Sequence, residues 1–301
     1  MGQATLHARY VGDETIAVAG REQPARHWKL HFKGASQSVW LAHSGEILKE
    51  EGVLGISLER TTRDDALLPA TAAPVDDLIQ LAAIVPDRPI TNAESRARLH
   101  VEIQGIPRNY PSLTGGRQRW DGRRLLIQRE GTAGAGPLDP SPPKPADLQP
   151  APLIESDHPK IQDLARELVL PGESPETRVN KILAWMETHI ERRPVVSVPS
   201  ALATLEQRRG DCNEHAVLFA ALARAAGVPT QVEAGIVYLE GRFYYHAWNR
   251  VHLSGWVTVD ALFQQLPADV THIRLARGTT ASQLDILGVL GRLKIKVLDD
   301  H

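Results

Sequence analysis

Between Gly131 and Pro152 the chain reads GTAGAGPLDPSPPKPADLQPAP, and neither a helix nor a central strand can run through it. Proline lacks the N–H that both need and fixes φ near −65°. Regular structure must therefore form on either side. The segment 131–153 reads as a linker or extended strap between a β-rich antiparallel region at 1–130 and an α+β domain at 154–301.

The first side is rich in short alternating runs. ATLHARYV, ETIAVAG, ARHWKLHF, QSVWLAH, EILKEE and GISLERTT are separated by turn signals at Gly12-Asp13, Lys33-Gly34 and Ser44-Gly45, as an antiparallel meander requires. Residues 65–90 are more helical or irregular. Then Ala97, Leu99, Val101 and Ile103 alternate with Arg98, His100, Glu102 and Gln104, which predicts a strand with one buried and one wet face. RRLLIQRE continues it after the Gly115-Gly116 turn.

The second side places helices before strands. DHPKIQDLARELV is amphipathic. Ser174 can cap a helix that has Pro175 at its first position and an apolar stripe of Val179, Ile182, Leu183, Met186 and Ile190. Ser200 can cap a short helix through ALATLEQ. A longer helix follows over DCNEHAVLFAALARAAG, with Asp211 as N-cap and Gly227 as the residue past its end. Strand-like segments come next: TQVEAGIVYL and RFYYHAWNRVHL, joined at Glu240-Gly241, then WVTVDALF after Ser254-Gly255, and HIRLA.

Cys212, the single cysteine, falls in the first turn of that longer helix. One cysteine excludes an internal disulfide and any multi-cysteine metal site. A thiol becomes a nucleophile as its thiolate, which helix N-terminal N–H groups and a neighbouring imidazolium both favour. The histidine must come from elsewhere in the fold, and spacing alone does not choose among the 12 present.

Strand geometry narrows the choice. Tyr244, His246, Trp248, Arg250 and His252 share one face of their strand, and Trp256, Thr258, Asp260 and Leu262 share one face of the next. If Trp248 pairs with Asp260, then His246 and Asp260 are diagonal neighbours on one surface. A two-residue Ser254-Gly255 loop in regular pairing would put them on opposite faces. Their meeting requires an odd-length loop or a bulge.

GDCNEHAVLFAALARAAGVPTQVEAG followed by YYHAWNRVHLSGWVTVDALF resembles the core of the transglutaminase-like superfamily, of papain-like fold, as found in bacterial transglutaminase-domain proteins. The resemblance spans roughly residues 155–277 and includes the upstream LPGESPETRVNKILAWMETHI. It implies helices packed on an antiparallel sheet, with Cys212 as nucleophile, His246 as general base and Asp260 as the residue that orients the histidine. The implied chemistry is acyl transfer on peptide or protein amides through a thioester, as in a cysteine peptidase or a transglutaminase. The backbone N–H of Cys212 would hold the oxyanion. Gln207 is the candidate side-chain donor, and Trp248 and Tyr244 are candidates to line a substrate groove.

Other readings compete. A non-catalytic module of the same fold could bind a polypeptide or cell-wall partner. Zinc could be held by Cys212, His215, His246 and Asp260, but His215 is better explained by a local hydrogen bond within its helix, and Asn213 and Glu214 by support of the helix start. No phosphate loop, dinucleotide fingerprint or calcium loop occurs, so no cofactor or metal is implied. A formal net charge of −2 without basic clusters argues against nucleic acid as partner, and no run approaches the roughly 18 apolar residues of a transmembrane helix. The oligomeric state is not readable. Because the chain starts almost directly in strand-like sequence, trimmed upstream sequence is an expectation, and it would favour the cell envelope or periplasm over the cytoplasm.

Overall fold

The computed structural model describes residues 5–32, 35–52, 57–66, 83–131, 138–193, 199–278, 286, 289 and 291–298. The chain divides into two compact units, Met1–Ile84 with Leu284–Leu293, and Val85–Gln283 with Lys294–His301.

The first unit is an antiparallel meander of β1 (His7–Val18), β2 (Arg21–Phe32), β3 (Ala35–Leu41), β4 (Ile47–Glu51) and β5 (Ser57–Glu59), paired in sequence order. Gly12-Asp13 is not a turn. β1 runs through it, and the register shift between Tyr10 and Gly12 leaves Val11 as an extra residue, so the glycine marks a bulge in a long strand. The turn falls instead at Ala19 and Gly20, both at positive φ, the pattern of a two-residue hairpin that matches strand twist. Val18, Ala25, Trp40 and Leu48 form a small core. Of the stretch read as helical or irregular, only a turn at Arg63–Ala66 and residues from 83 onward are described; 67–82 and the Lys33-Gly34 turn lie outside the described residues.

The second unit begins before the proline-rich stretch. β6 (Arg98–Gln104), β7 (Gln118–Trp120) and β8 (Arg124–Gln128) form an antiparallel sheet completed by the last strand, residues 294–297, in the order 294–297, β6, β8, β7. The predicted alternation holds from Leu99 to Ile103, whose apolar side chains are buried. The described part of the proline-rich segment, from residue 138 onward, lies against the α+β part of this unit. Asp139 accepts from Arg250 Nη1 at 2.7 Å, its carbonyl accepts from the Trp256 N–H, and Asp147 accepts from Gln231 Nε2 at 2.7 Å.

Four α-helices follow among the described residues: α1 (Pro159–Leu168), α2 (Pro175–His189), α3 (Ala201–Gln207) and α4 (Cys212–Ala225). Ser174 and Ser200 cap α2 and α3 through their hydroxyls. Gly227, at φ 77°, terminates α4. Helix α4 is central, buried at every position from Glu214 to Arg224, and a helix apolar on nearly all sides is stable only when enclosed. Leu218, Phe219 and Leu222 are fully buried, and each such side chain contributes about 2 kcal/mol of transfer free energy.

The enclosing sheet comprises β11 (Thr230–Leu239), β12 (Arg242–His252), β13 (Trp256–Val259) and β14 (Ile273–Arg277), in the order β13, β12, β11, β14; short β9 (Glu191–Arg192) and β10 (Arg209–Gly210) pair in parallel just before α4. Val232, Ala247, Val251 and Val259 belong to the same core as the helices, and Asn249 Nδ2 donates to the Ala216 carbonyl at 3.0 Å, joining β12 to α4. The opposite face carries His246, Trp248 and Arg250.

Candidate active site

The approach to Cys212 is tightly determined. Arg208 takes a left-handed conformation, φ 55°. The chain then pairs with β9, and the Gly210 carbonyl accepts from Arg193 N–H. A Cβ on Gly210 would lie 2.2 Å from Glu214 Cβ, so only glycine fits. Asp211 caps α4, accepting from Asn213 N–H at 2.9 Å, while Glu214 accepts from Asp211 N–H at 3.1 Å. This reciprocal cap engages the N–H groups of Asn213 and Glu214 and not that of Cys212. Burial, reinforced by the neighbouring Asp211 carboxylate, pushes Glu214 up to about 7.

His246 and Asp260 meet through strand register. His252 pairs with Trp256, Arg250 with Thr258 and Asn249 with Val259, so Leu253, Ser254 and Gly255 form a loop of odd length and the two polar faces coincide. His246 Nε2 lies 2.5 Å from Asp260 Oδ2. The Cys212 thiol is among the groups that raise the proton affinity of the same imidazole, and with Nε2 on Asp260, Nδ1 is the nitrogen left to face it. Burial opposes the charged imidazole, but the Asp260 charge and hydrogen bond, with the Cys212 sulfur, outweigh it and push His246 up to about 9. Burial likewise opposes the Asp260 carboxylate, yet His246 and His272 together hold it well below its ordinary range.

Asp260 is saturated with donors. Oδ1 accepts from the backbone N–H groups of Leu262 and Phe263 at 2.8 and 2.9 Å, and Oδ2 faces His272 Nε2 at 2.9 Å as well as His246. Phe263 stacks on His246 at 4.8 Å between centroids. On the neighbouring strand the residue opposite His246 is Gly235, where a Cβ would meet the Ile273 carbonyl oxygen at 2.0 Å and Trp248 at 2.9 Å. The site thus depends on a missing side chain.

The remaining candidates take different places. Trp248 is 1% exposed and donates its indole N–H to Glu233 at 3.1 Å. It packs between His246 and His272, with ring centroids 6.0 and 5.2 Å away, and offers no face to a groove. Tyr244 is half-buried and shares the His246 face. Gln207 ends α3 and is exposed. His215 Nδ1 lies 2.8 Å from the Asp211 carbonyl oxygen, the local bond its position invites, and burial keeps its ring toward the neutral form. Sequence reasoning missed His272 and Phe263: nothing in HIRLA or ALF marks them, since their roles arise only when the 260–272 loop folds back on β12.

Among the described residues, His246, Asp260 and His272 bring three potential ligand atoms within 4.8 Å of one another. Two of the separations are hydrogen-bond distances, 2.5 and 2.9 Å, shorter than the ~3.3 Å between ligands of a tetrahedral zinc. As they stand, the three groups form one hydrogen-bonded network, with both histidines on Asp260 Oδ2.

Two hollows adjoin it. A cleft of about 590 Å³ is lined by Arg192, Val237, Glu240, Phe263, Gln265 and Asp269, among others, and so reaches residues next to both His246 and Asp260. A second, of about 630 Å³, lies between the strap at 144–154 and α4, where Asn213, Ala216 and Val217 line it. On the far side of Trp248, buried Glu233 contacts Arg250, Arg274 and Arg277. Against the cost of burial, these arginines hold its carboxyl down at about 2.

No helix among the described residues is long and apolar enough to cross a membrane. A comparison with curated proteins returns no match. Three solved structures are similar: one from Cytophaga hutchinsonii called a "Putative Cysteine Protease" (17% identity, 68% of this chain, 89% of that one, TM-score 0.43), the periplasmic domain of TgpA from Pseudomonas aeruginosa (19%, 60% and 93%, 0.35), and one from Parabacteroides distasonis called a "Putative Protease" (12%, 88% and 71%, 0.32). The family model described as "Transglutaminase-like superfamily" matches residues 162–261, a span that holds α4, β12 and the start of the Asp260 turn. Over residues 162–261, then, this chain is similar to the core of the transglutaminase-like superfamily.

Proposed function

We propose that the second unit is a thiol-dependent acyl-transfer enzyme acting on peptide or protein amides, as a cysteine peptidase or a transglutaminase-type enzyme. The observation that carries this reading is the buried His246–Asp260 pair, 2.5 Å apart, with the Cys212 thiol among the groups that raise the proton affinity of the His246 ring.

In this mechanism His246 Nδ1 takes the thiol proton, and the sulfur attacks the amide carbonyl carbon. The carbonyl oxygen, now negative, is received by the Cys212 N–H at the helix N-terminus, where backbone donors are aligned. As the C–N bond breaks, imidazolium returns its proton to the leaving amine. A thioester remains on Cys212. Water, giving a proton to His246, hydrolyses it, or an amine captures it. Asp260 keeps Nε2 protonated, so that Nδ1 is the atom that exchanges protons. The cleft beside Phe263 and Asp269 is where the substrate chain approaches, with Tyr244 on the same sheet face.

The test is turnover of a peptide library by the protein and by Cys212→Ala, with and without added amine. Products from the first protein alone support the reading. Equal products from both would place the chemistry elsewhere. Binding of a peptide without turnover by either would favour a binding module, and amine-linked products would identify transamidation.

A further inference from the structure

Beyond the three residues of the proposed mechanism stands a second buried histidine. His272 occupies the position before β14 and is fully buried. Its Nε2 lies 2.9 Å from Asp260 Oδ2, and its Nδ1 lies 3.3 Å from Asp269 Oδ1. Ionised carboxylates only accept hydrogen bonds, so a ring facing one with each nitrogen must carry a proton on both. With both aspartates ionised, this geometry favours the imidazolium form of His272. Burial opposes this, but the two aspartates outweigh it and raise its affinity for the proton.

Its surroundings leave it no other arrangement. Asp269 is fixed by the backbone N–H and hydroxyl of Thr271, at 2.7 and 2.6 Å, and by Gln265 Nε2 at 3.1 Å. Gln265 exchanges two backbone hydrogen bonds with Asp260 itself. Arg117 Nη2 donates to the His272 carbonyl at 2.8 Å and to that of Asp269 at 2.9 Å. The Trp248 ring meets His272 edge-on at 5.2 Å. The charged and titratable groups around His272 are Asp260, Asp269, His246 and Arg117. Beyond them, the Cys212 thiol acts on His246 and raises its proton affinity.

We propose that His272 is a positioning residue of this site, anchoring the Asp260 carboxylate against His246 and sharing its negative charge with that ring. A lone Asp–His pair would give His246 the whole field of the carboxylate. Here two cations divide it, with ring centroids 5.7 Å apart. The second cation disfavours a proton on His246 and favours negative charge on sulfur, and so holds both titrations lower than a simple triad would. It also prevents Asp260 from rotating away when His246 moves during proton transfer.

The inference rests on the Cys–His–Asp reading above, so its test must tell the two apart. The measurement is the pH dependence of Cys212 alkylation by iodoacetamide, which needs no substrate, on the full chain, with folding checked by circular dichroism. His272→Gln keeps a donor for Asp260 and removes the charge. Its labelling midpoint should rise by about half a unit to one unit, the size of a nearby unit charge at intermediate dielectric. Asp269→Asn leaves His272 in place, removes its second anchor, and should move the midpoint in the same sense by less; it carries the test alone if His272→Gln does not fold. Profiles for the folded variants that superimpose on wild type would overturn the proposal, even with a lowered melting temperature, because a purely structural histidine changes stability and not titration. Wild-type Cys212 that labels like a free thiol would instead overturn the triad reading beneath it.

Discussion

His246 Nε2 and Asp260 Oδ2 lie 2.5 Å apart, although the two residues are not directly opposed across their strands. The pairs from Asn249–Val259 to His252–Trp256 place Asp260 opposite Trp248, diagonal to His246. The contact therefore depends on the number of residues between His252 and Trp256.

Deleting Ser254 tests that dependence. A two-residue turn in regular pairing shifts the register by one and sends Asp260 to the α4 face. Activity on any substrate of the wild-type protein should fall at least 1,000-fold, on the order expected for loss of a triad member. Deleting Ser254 without loss of activity, measured beside circular dichroism, would show that the register does not set the site.

Asp260→Asn should lower kcat by about 100- to 10,000-fold, because an amide at this position no longer enforces a proton on His246 Nε2. The KM should change much less. A kcat within threefold of wild type would remove Asp260 from the mechanism.

The pH profile follows from the same pair. His246 in the folded protein titrates at about 9 against an ordinary value of 6.5. A raised histidine contributes stability that is complete below about pH 6.5 and is lost as pH rises through 9, up to about 3 kcal/mol for this shift. Asp260, lowered, contributes stability present above pH 3.8 and lost as pH falls. Urea unfolding should show a plateau between about pH 4 and 6.5 and a decline toward 9, flattened in Asp260→Asn. Activity, which needs the imidazolium to protonate the leaving amine, should fall above pH 9.

Gly235→Ala should destabilise the second unit by about 3 kcal/mol or more, since the new Cβ would sit 2.0 Å from the Ile273 carbonyl oxygen. The loss should exceed that of an alanine placed at Gly241, where nothing lies within 4 Å but φ is +89°. Thermal unfolding of the two variants side by side decides it.

Much of this was legible in the chain. The caps at Ser174, Ser200 and Asp211, the end of α4 at Gly227, and the faces of β12 all depend on neighbours within a few residues, so local chemistry writes them. The same locality explains the error at Gly12. A glycine with an aspartate signals a turn or a bulge equally well, and only the pairing of Tyr10 with Trp28 and of Gly12 with His27 distinguishes them. Trp248 read as a groove residue because the sequence shows which face it occupies, not what covers that face.

By itself, the sequence determined which residues could do chemistry and on which surfaces they stand: a thiol in a capped first helical turn, a histidine and an aspartate on alternating strands. Tertiary structure alone decided that a three-residue loop aligns those surfaces, that Gly235 leaves room beside His246, and that the 260–272 segment returns to set His272 on the same Asp260 oxygen that His246 meets. These are contacts between residues brought together by chain closure. Their energies depend on distances that no local pattern encodes.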